Sequence, residues 1–501
     1  MKIGQKLISN TIYLSLDWFV ITIMSFIFWF SLGKTLVKEE LGIVSTLINF
    51  VVLISGISIL GITQALSKLI PEFKKKDSKK LYSLIRISIR PILIVLAVIL
   101  LALFIFSNQL SVILKVPREG ILISIFSLFA IVPFSFFGSV IYGFQNMKKY
   151  FLTDFFQSFF KLSVSILLIY LGFRVYGPLI GFGMGYFIAM FMRLDLKYFK
   201  GKDSSFSYKE LFVYASPALV STIASYTMTN SQYIILSILK NPGVTGIFTI
   251  AFLLTSFIGV IVNVLASALF PIISGLSVDR KMKVREGYLI GVVMRYSMMV
   301  IVPISVVLLI FSNLFVLSFS SIEYISATTY FPILIPAVIM FGIGGIFNSN
   351  LYAIGKPKIS RNIIVITAIL FLILSIVGVS YFSALGISFA YLASMAFYLV
   401  LNVFYIRKFL KIKIFTSDVI KILVSSALVG ILLLLIYPVV NGIVSLAIVS
   451  ISSMILYLIL LVPLRFYRSE DISILEFLAK KIPTFNKPIS MAINFLRKIS
   501  K

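Results

Sequence analysis

Four ionisable side chains stand deep inside stretches that are otherwise apolar: Asp17, Arg90, Lys161 and Arg295. Hydrocarbon makes such groups expensive, so each needs a partner, a route back to the headgroups, or a task. The three bases suit the binding of an anion. Arginine does this best, because its planar fork matches phosphate or carboxylate oxygens and stays charged under all conditions. Asp17 is the opposite case, a short side chain that cannot reach back to water. It would pair with one of these bases or take up a proton or a sodium ion. The plainer reading of Arg90 and Arg295 is that they snorkel to the nearer membrane surface, and for Arg86 that reading is preferred.

Catalysis is disfavoured. The chain has no histidine and no cysteine, which removes the commonest acid–base group and metal ligand together with any disulfide or thiolate chemistry. A membrane enzyme would place acid–base or metal-binding groups in a sizeable outer loop. The longest such loops here, 107–120 and 312–327, hold Glu119 and Glu323 as their acids.

The elements that must position these residues follow from composition. A chain of 501 residues with 60% hydrophobic residues, 12% charged residues and a mean hydropathy of +1.09 is a polytopic, all-α membrane protein. A ruler of about 20 apolar residues per helix gives 14 spans, the first at 11–33 and the last at 444–464. Asp17 falls in span 1, Arg90 in span 3 (84–106), Lys161 in span 5 (154–173) and Arg295 in span 9 (287–311).

The chain repeats itself. LIRISIRPILIVLAVILLALFIFSN at 84–108 returns as LIGVVMRYSMMVIVPISVVLLIFSN at 289–313, matching Arg90 with Arg295 and one Ile-Phe-Ser-Asn run with the other. Gly42 and Gly246 open spans 2 and 8, and Gly181 and Tyr186 align with Gly386 and Tyr391. Six spans per repeat keep both copies in one orientation, related by an axis along the membrane normal. The expected organisation is a six-helix bundle over 1–200, a second over 205–410, helices 13 and 14 over 411–464, and a basic amphipathic tail over 465–501.

Of the 45 Lys and Arg residues, 35 fall on the side of the N-terminus and six on the other. The positive-inside rule therefore puts both termini in the cytoplasm, and it explains the net charge of +28 without nucleic acid. In the tail, the spacing of Ile474, Leu475, Leu478, Ile489, Ile493 and Leu496 predicts interfacial helices.

Five stretches, in order, resemble a known family: LGKTLVKEELGIVSTL (32–47), ISILGITQALSKLIPEF (57–73), NPGVTGIFTIAFLL (241–254), FNSNLYAIGKPKISRNIIV (347–365) and SALGISFAYLAS (383–394). They are similar to segments of the polysaccharide-biosynthesis membrane proteins, the Wzx-type flippases of the multidrug/oligosaccharidyl-lipid/polysaccharide exporter superfamily. The resemblance implies two six-helix bundles in a V around a central cavity that opens alternately to the two sides. It implies a lipid-linked saccharide as substrate, with one phosphate or two, handled in the cell membrane beside membrane lipids and glycan-assembly enzymes. No metal and no cofactor is implied beyond a coupling proton or sodium ion; oligomeric state stays open.

On that resemblance Arg90, Arg295 and Lys161, about six residues or 9 Å in from the cytoplasmic side, are candidate phosphate ligands. Asn230 and Gln232 in span 7, with Ser231, and Asn348 and Asn350 in span 10 are candidate sugar ligands, although such side chains also glue membrane helices together. Asp17 is the coupling or pairing residue. Pro217, Pro332 and Pro336 are candidate hinges, since proline frees backbone carbonyls and bends helices. Asp195 beside Arg193 reads as an interfacial ion pair. The competing function on the same scaffold is an ion-coupled exporter of organic cations, which would want acidic and aromatic groups in its cavity. Four basic intramembrane charges against one acidic favour an anion, and Thr229 to Gln232 stand where many relatives carry an acid.

Overall fold

A computed structural model describes residues 2–76, 78–195, 197, 206–276, 283–412 and 415–468. The tail helices expected over 474–496 lie outside them. The described chain is helical, in the order α1 (Lys2–Thr35), α2 (Lys38–Ser58), α3 (Ile62–Lys76), α4 (Ser78–Ile105), α5 (Ser107–Leu114), α6 (Arg118–Gly143), α7 (Met147–Leu168) and α8 (Tyr176–Arg193). The second half continues with α9 (Tyr208–Leu239), α10 (Pro242–Leu276), α11 (Lys283–Ile310), α12 (Ser312–Phe319), α13 (Phe331–Ala353) and α14 (Pro357–Phe409), followed by α15 (Thr416–Ile436) and α16 (Ile443–Leu460).

Among the described residues twelve helices are long and apolar enough to cross a bilayer. One of them, α14, is two limbs: Ser383 takes a left-handed φ of 55°, and the chain doubles back so that Gly378 packs on Gly386. Counting its second limb and the glycine-rich α8 gives the 14 crossings expected.

The repeat is visible in the backbone. The two Ile-Phe-Ser-Asn runs mark the same break, at Phe106 between α4 and α5 and at Phe311 between α11 and α12, with φ near −91° and −95°. The halves meet about a two-fold axis. Gly42 of α2 lies against Pro242, and its repeat copy Gly246 of α10 lies against Lys38; a Cβ on either glycine would overlap the facing carbonyl. One turn on, Thr249 donates to Ser45 at 2.9 Å. Ser45 meets its own copy, and Gly42 meets the copy of Lys38 as Lys38 meets the copy of Gly42, the reciprocal pattern of an isologous interface.

This seam is on the side away from the chain ends, and lysines close it. Lys34 Nζ donates to Leu317 O at 2.7 Å and Ser320 O at 2.9 Å. In the mirrored position Lys115 Nζ donates to Lys240 O, and Ser237 Oγ to Leu114 O. Tyr324 adds a 2.8 Å bond to Leu36 O. Gly246→Leu is expected to force the two halves apart at this end. Spin labels at the exposed Val112 and Ile322 would read a longer distance than in the wild type, and an unchanged distance would refute the seam.

Span 2 does not run unbroken over 41–66 as expected. It ends at Ser58, and Leu60 and Gly61, both at positive φ, turn the chain into the amphipathic α3. Glycine is required at 61 because a Cβ there would overlap the Ala215 carbonyl of α9. Lys68 over the Tyr214 ring at 4.3 Å and Gln64 on Thr222 at 3.1 Å extend this contact between the halves.

Candidate functional site

The polar interior of the first half is built on one face of α7. Asp154, Gln157, Ser158, Lys161 and Ser165 are all buried there, at spacings of three and four residues that share a face. Asn146 caps the helix by accepting from Lys149 N at 3.2 Å, so α7 begins well before the 154 expected from hydropathy. Lys161 is thereby the fifteenth of the 27 residues in the span Met147–Phe173, about 21 Å along it at 1.5 Å per residue. It stands midway along the span, further from its start than expected. Glycines 181 and 185 let α8 approach the same stripe, with Gly185 against the Lys161 backbone.

Lys161 is 8% exposed, and its Nζ lies 4.8 Å from the centroid of Phe28 on α1. Among the described residues no carboxylate or carbonyl accepts from it. A buried ammonium with only an aromatic face for company is held at a cost that a bound anion would relieve.

Nearer the chain ends the same face carries a fixed ion pair. Arg193, at the end of α8, meets Asp154 Oδ2 at 2.8 Å, donates to Thr153 Oγ1 at 2.9 Å and to Phe134 O at 3.0 Å, and stacks 3.5 Å from the Phe134 centroid. Asp17 of α1 belongs to this cluster and not to Arg90, Lys161 or Arg295. Its charged neighbours are Asp154 and Arg193, it is buried, and its Oδ1 has no hydrogen-bond partner. One carboxylate is thus satisfied by arginine, and beside it a second is left over.

The expected pairing of Asp195 with Arg193 is corrected. Asp195 pairs with Lys197 at 2.6 Å. Slight burial pulls its carboxyl upward, but the Lys197 side-chain and backbone bonds outweigh this and hold it below the ordinary value.

Arg295 is corrected too. It is 2% exposed, meets Asp418 Oδ2 of α15 at 2.8 Å, donates to Phe466 O at 2.8 Å and packs 4.2 Å from the Phe466 ring. Arg468 reaches the same Asp418 oxygen at 2.7 Å. Arg295 therefore anchors α15 and the chain after α16, with no fork free for phosphate. Arg90 is exposed, in helical phase with the exposed Leu93, Ile94, Val98 and Leu101 of α4. That exposed stripe is apolar enough to meet lipid, and it sets Arg90 apart from the buried polar face of α7.

Of the candidate amides, Asn348 is engaged across helices, whereas Asn350 and Gln232 bond within their own helices and each leave a buried oxygen without a hydrogen-bond partner. Asn348 donates to Asn402 Oδ1 at 3.0 Å and accepts from Ser360 Oγ at 2.7 Å, tying α13 to both limbs of α14. Asn350 donates to Ile346 O at 2.7 Å, Asn230 to Tyr226 O at 3.0 Å, and Gln232, fully buried, to Thr229 O at 3.3 Å. Asn348→Leu is expected to lower stability by about 1 kcal/mol, the ordinary worth of such a bond between membrane helices, and to leave transport unchanged. A loss of transport at unchanged thermal stability would restore the sugar-binding role.

Of the hinge candidates, Pro332 sits in the first turn of α13, where proline breaks no bond, while Pro217 and Pro336 lie inside α9 and α13. The sharp breaks fall at residues 60–61, 106, 311 and 383, none of them proline. Asp154, Asp418 and Phe28 carry no signal of these roles in the sequence, and Arg193 was expected to pair with Asp195 instead of Asp154.

Comparison with known proteins adds the following. The profile of the polysaccharide biosynthesis protein family matches residues 7–277. The probable low-salt glycan biosynthesis flippase Agl15 of Haloferax volcanii is 25% identical over 218 residues, 44% of this chain and 46% of that protein, so the match spans about half of the relative. The lipid II flippase MurJ in an inward closed conformation superposes with a TM-score of 0.67 over 90% of this chain and 98% of its own, at 16% identity. An inward-facing multidrug resistance MATE family transporter gives 0.62 over 80% and 94%, at 15% identity. These two superpositions establish a shared fold.

Proposed function

Because the chain belongs to the polysaccharide biosynthesis protein family, we propose that this multi-pass membrane protein moves a phosphate-linked or pyrophosphate-linked saccharide lipid across the bilayer by alternating access. The observation that carries the reading is Lys161, a cation midway along its span, buried, and without an anionic partner among the described residues. In the cell membrane with both termini cytoplasmic, as the charge asymmetry supports, its ammonium pairs with the substrate phosphate on passage. The lipid tail stays in hydrocarbon. Phe28 of α1 covers the ammonium, so displacement of α1 is what exposes it.

The leftover carboxylate of Asp17 supplies the driving force. A proton or sodium ion taken up there neutralises the second acid of the Asp17–Asp154–Arg193 cluster and couples ion flow to the movement of α1 against α7. The relative from Haloferax volcanii is named for glycan flipping, which supports the saccharide class. The chain acts as a transporter, with no bond made or broken.

Reconstituted protein tests this directly. Proteoliposomes should move a lipid-phosphate-linked saccharide to the opposite leaflet at a rate above protein-free vesicles. Absence of movement together with active efflux of an ethidium-type cation would replace this function by the organic-cation exporter.

A further inference from the structure

The two halves treat the same helix face differently. In the second half α15 lies along α11: Asp418 pairs with Arg295, Gly430 packs on Val306 and Ile310, and the Tyr437 ring stacks on Phe311 at 5.6 Å. The repeat copies of these α11 residues, 205 positions earlier, are Arg90, Leu101, Ile105 and Phe106. There no helix among the described residues covers them. Phe311 is 0% exposed and Phe106 is 53% exposed, with Leu101 at 60% and Ile105 at 59%. Among the described residues no acceptor meets the Arg90 guanidinium.

We propose that this face of α4 docks one transmembrane helix of a partner membrane protein, which carries an Asp or Glu in its first turn at the terminus side of the membrane. The chain itself supplies the template. An arginine at this register is satisfied in the second half by an acid two residues into α15, and a small residue twelve positions further on lets the helices close over the branched side chains. Arg90 and its apolar stripe present the same charge and shape, unoccupied. A second copy of this chain fits less well: Asp17, Asp154 and Asp418 are buried, and behind Glu210, the exposed acid in the first turn of α9, the residue twelve positions on is Thr222, already engaged by Gln64 of α3. The inference does not depend on what the protein transports.

The test uses the full chain in lipid nanodiscs with a benzophenone side chain at position 101 of α4. The probe is a synthetic peptide of residues 416–437, carrying Asp418 and Gly430. Irradiation should cross-link the peptide to position 101. Labelling should fall about a hundredfold or more, the usual cost of unpairing a charge away from water, when the protein carries Arg90→Glu or the peptide carries Asp418→Asn. It should return when Arg90→Glu protein meets Asp418→Lys peptide. Labelling indifferent to both charges, or no greater than at the lipid-facing Ile373 of α14, would overturn the proposal. So would an anionic phospholipid that co-purifies with wild type, is lost from Arg90→Ala, and is present while the peptide fails to label; Arg90 would then hold a headgroup.

Discussion

Lys161→Met is expected to reduce saccharide-lipid flipping by about 10- to 100-fold while leaving the protein as stable as wild type or more so. The two signs have one cause. With no substrate bound, the ammonium is buried without an anion, over Phe28 alone, so an apolar side chain of similar length removes a desolvation cost. With a phosphate present, the same substitution deletes a charge-assisted contact worth about 1.5–3 kcal/mol, and each 1.4 kcal/mol is a factor of ten. Lys161→Arg keeps the charge and should keep most of the activity. Transport assays in proteoliposomes and thermal unfolding in detergent read the two halves of the expectation separately. A Met variant that flips normally removes Lys161 from the substrate path. One that is inactive and unstable makes it a structural residue.

Arg193→Met should behave in the reverse way, with stability lost first. The side chain neutralises Asp154 at 2.8 Å, satisfies Thr153 and the Phe134 carbonyl, and stands near a second acid, Asp17. Removing it leaves a buried carboxylate without its partner, which costs about 3–5 kcal/mol. The purified variant should be poorly monodisperse, with a markedly lower unfolding midpoint. Adding Asp154→Asn removes the orphaned charge and should recover most of the loss, a non-additivity that a double-mutant cycle measures. If Arg193→Met is as stable as wild type, the pair does not hold α7 to α8.

The all-α membrane fold and the repeat could be read from the sequence, because hydropathy and period report directly on lipid burial, and of the α7 stripe Lys161 stood out as a charge among apolar residues. What could not be read depended on partners distant in sequence. Arg90 and Arg295 occupy one register and look equivalent, yet Asp418, 123 residues beyond Arg295, turns one of them into an anchor. Nothing local to either arginine announces that. Lys161 was placed too shallow because Lys148, Lys149 and Asp154 looked like the end of a span, whereas the Asn146 cap starts the helix ahead of them. The break at Leu60 and Gly61 escaped because a hydropathy window averages across a change of direction. Asn348 has the right chemistry for a sugar, but only the neighbouring helix limbs reveal that its bonds are already made to Asn402 and Ser360.

The seam where Gly42 faces Pro242 and Gly246 faces Lys38 ties the fate of each half to the other. Each half supplies both a glycine and the carbonyl that the opposite glycine packs on, so bulk added to either copy separates both contacts at once. The pivot between the halves therefore has no side of its own: it is strained or relaxed as a single joint.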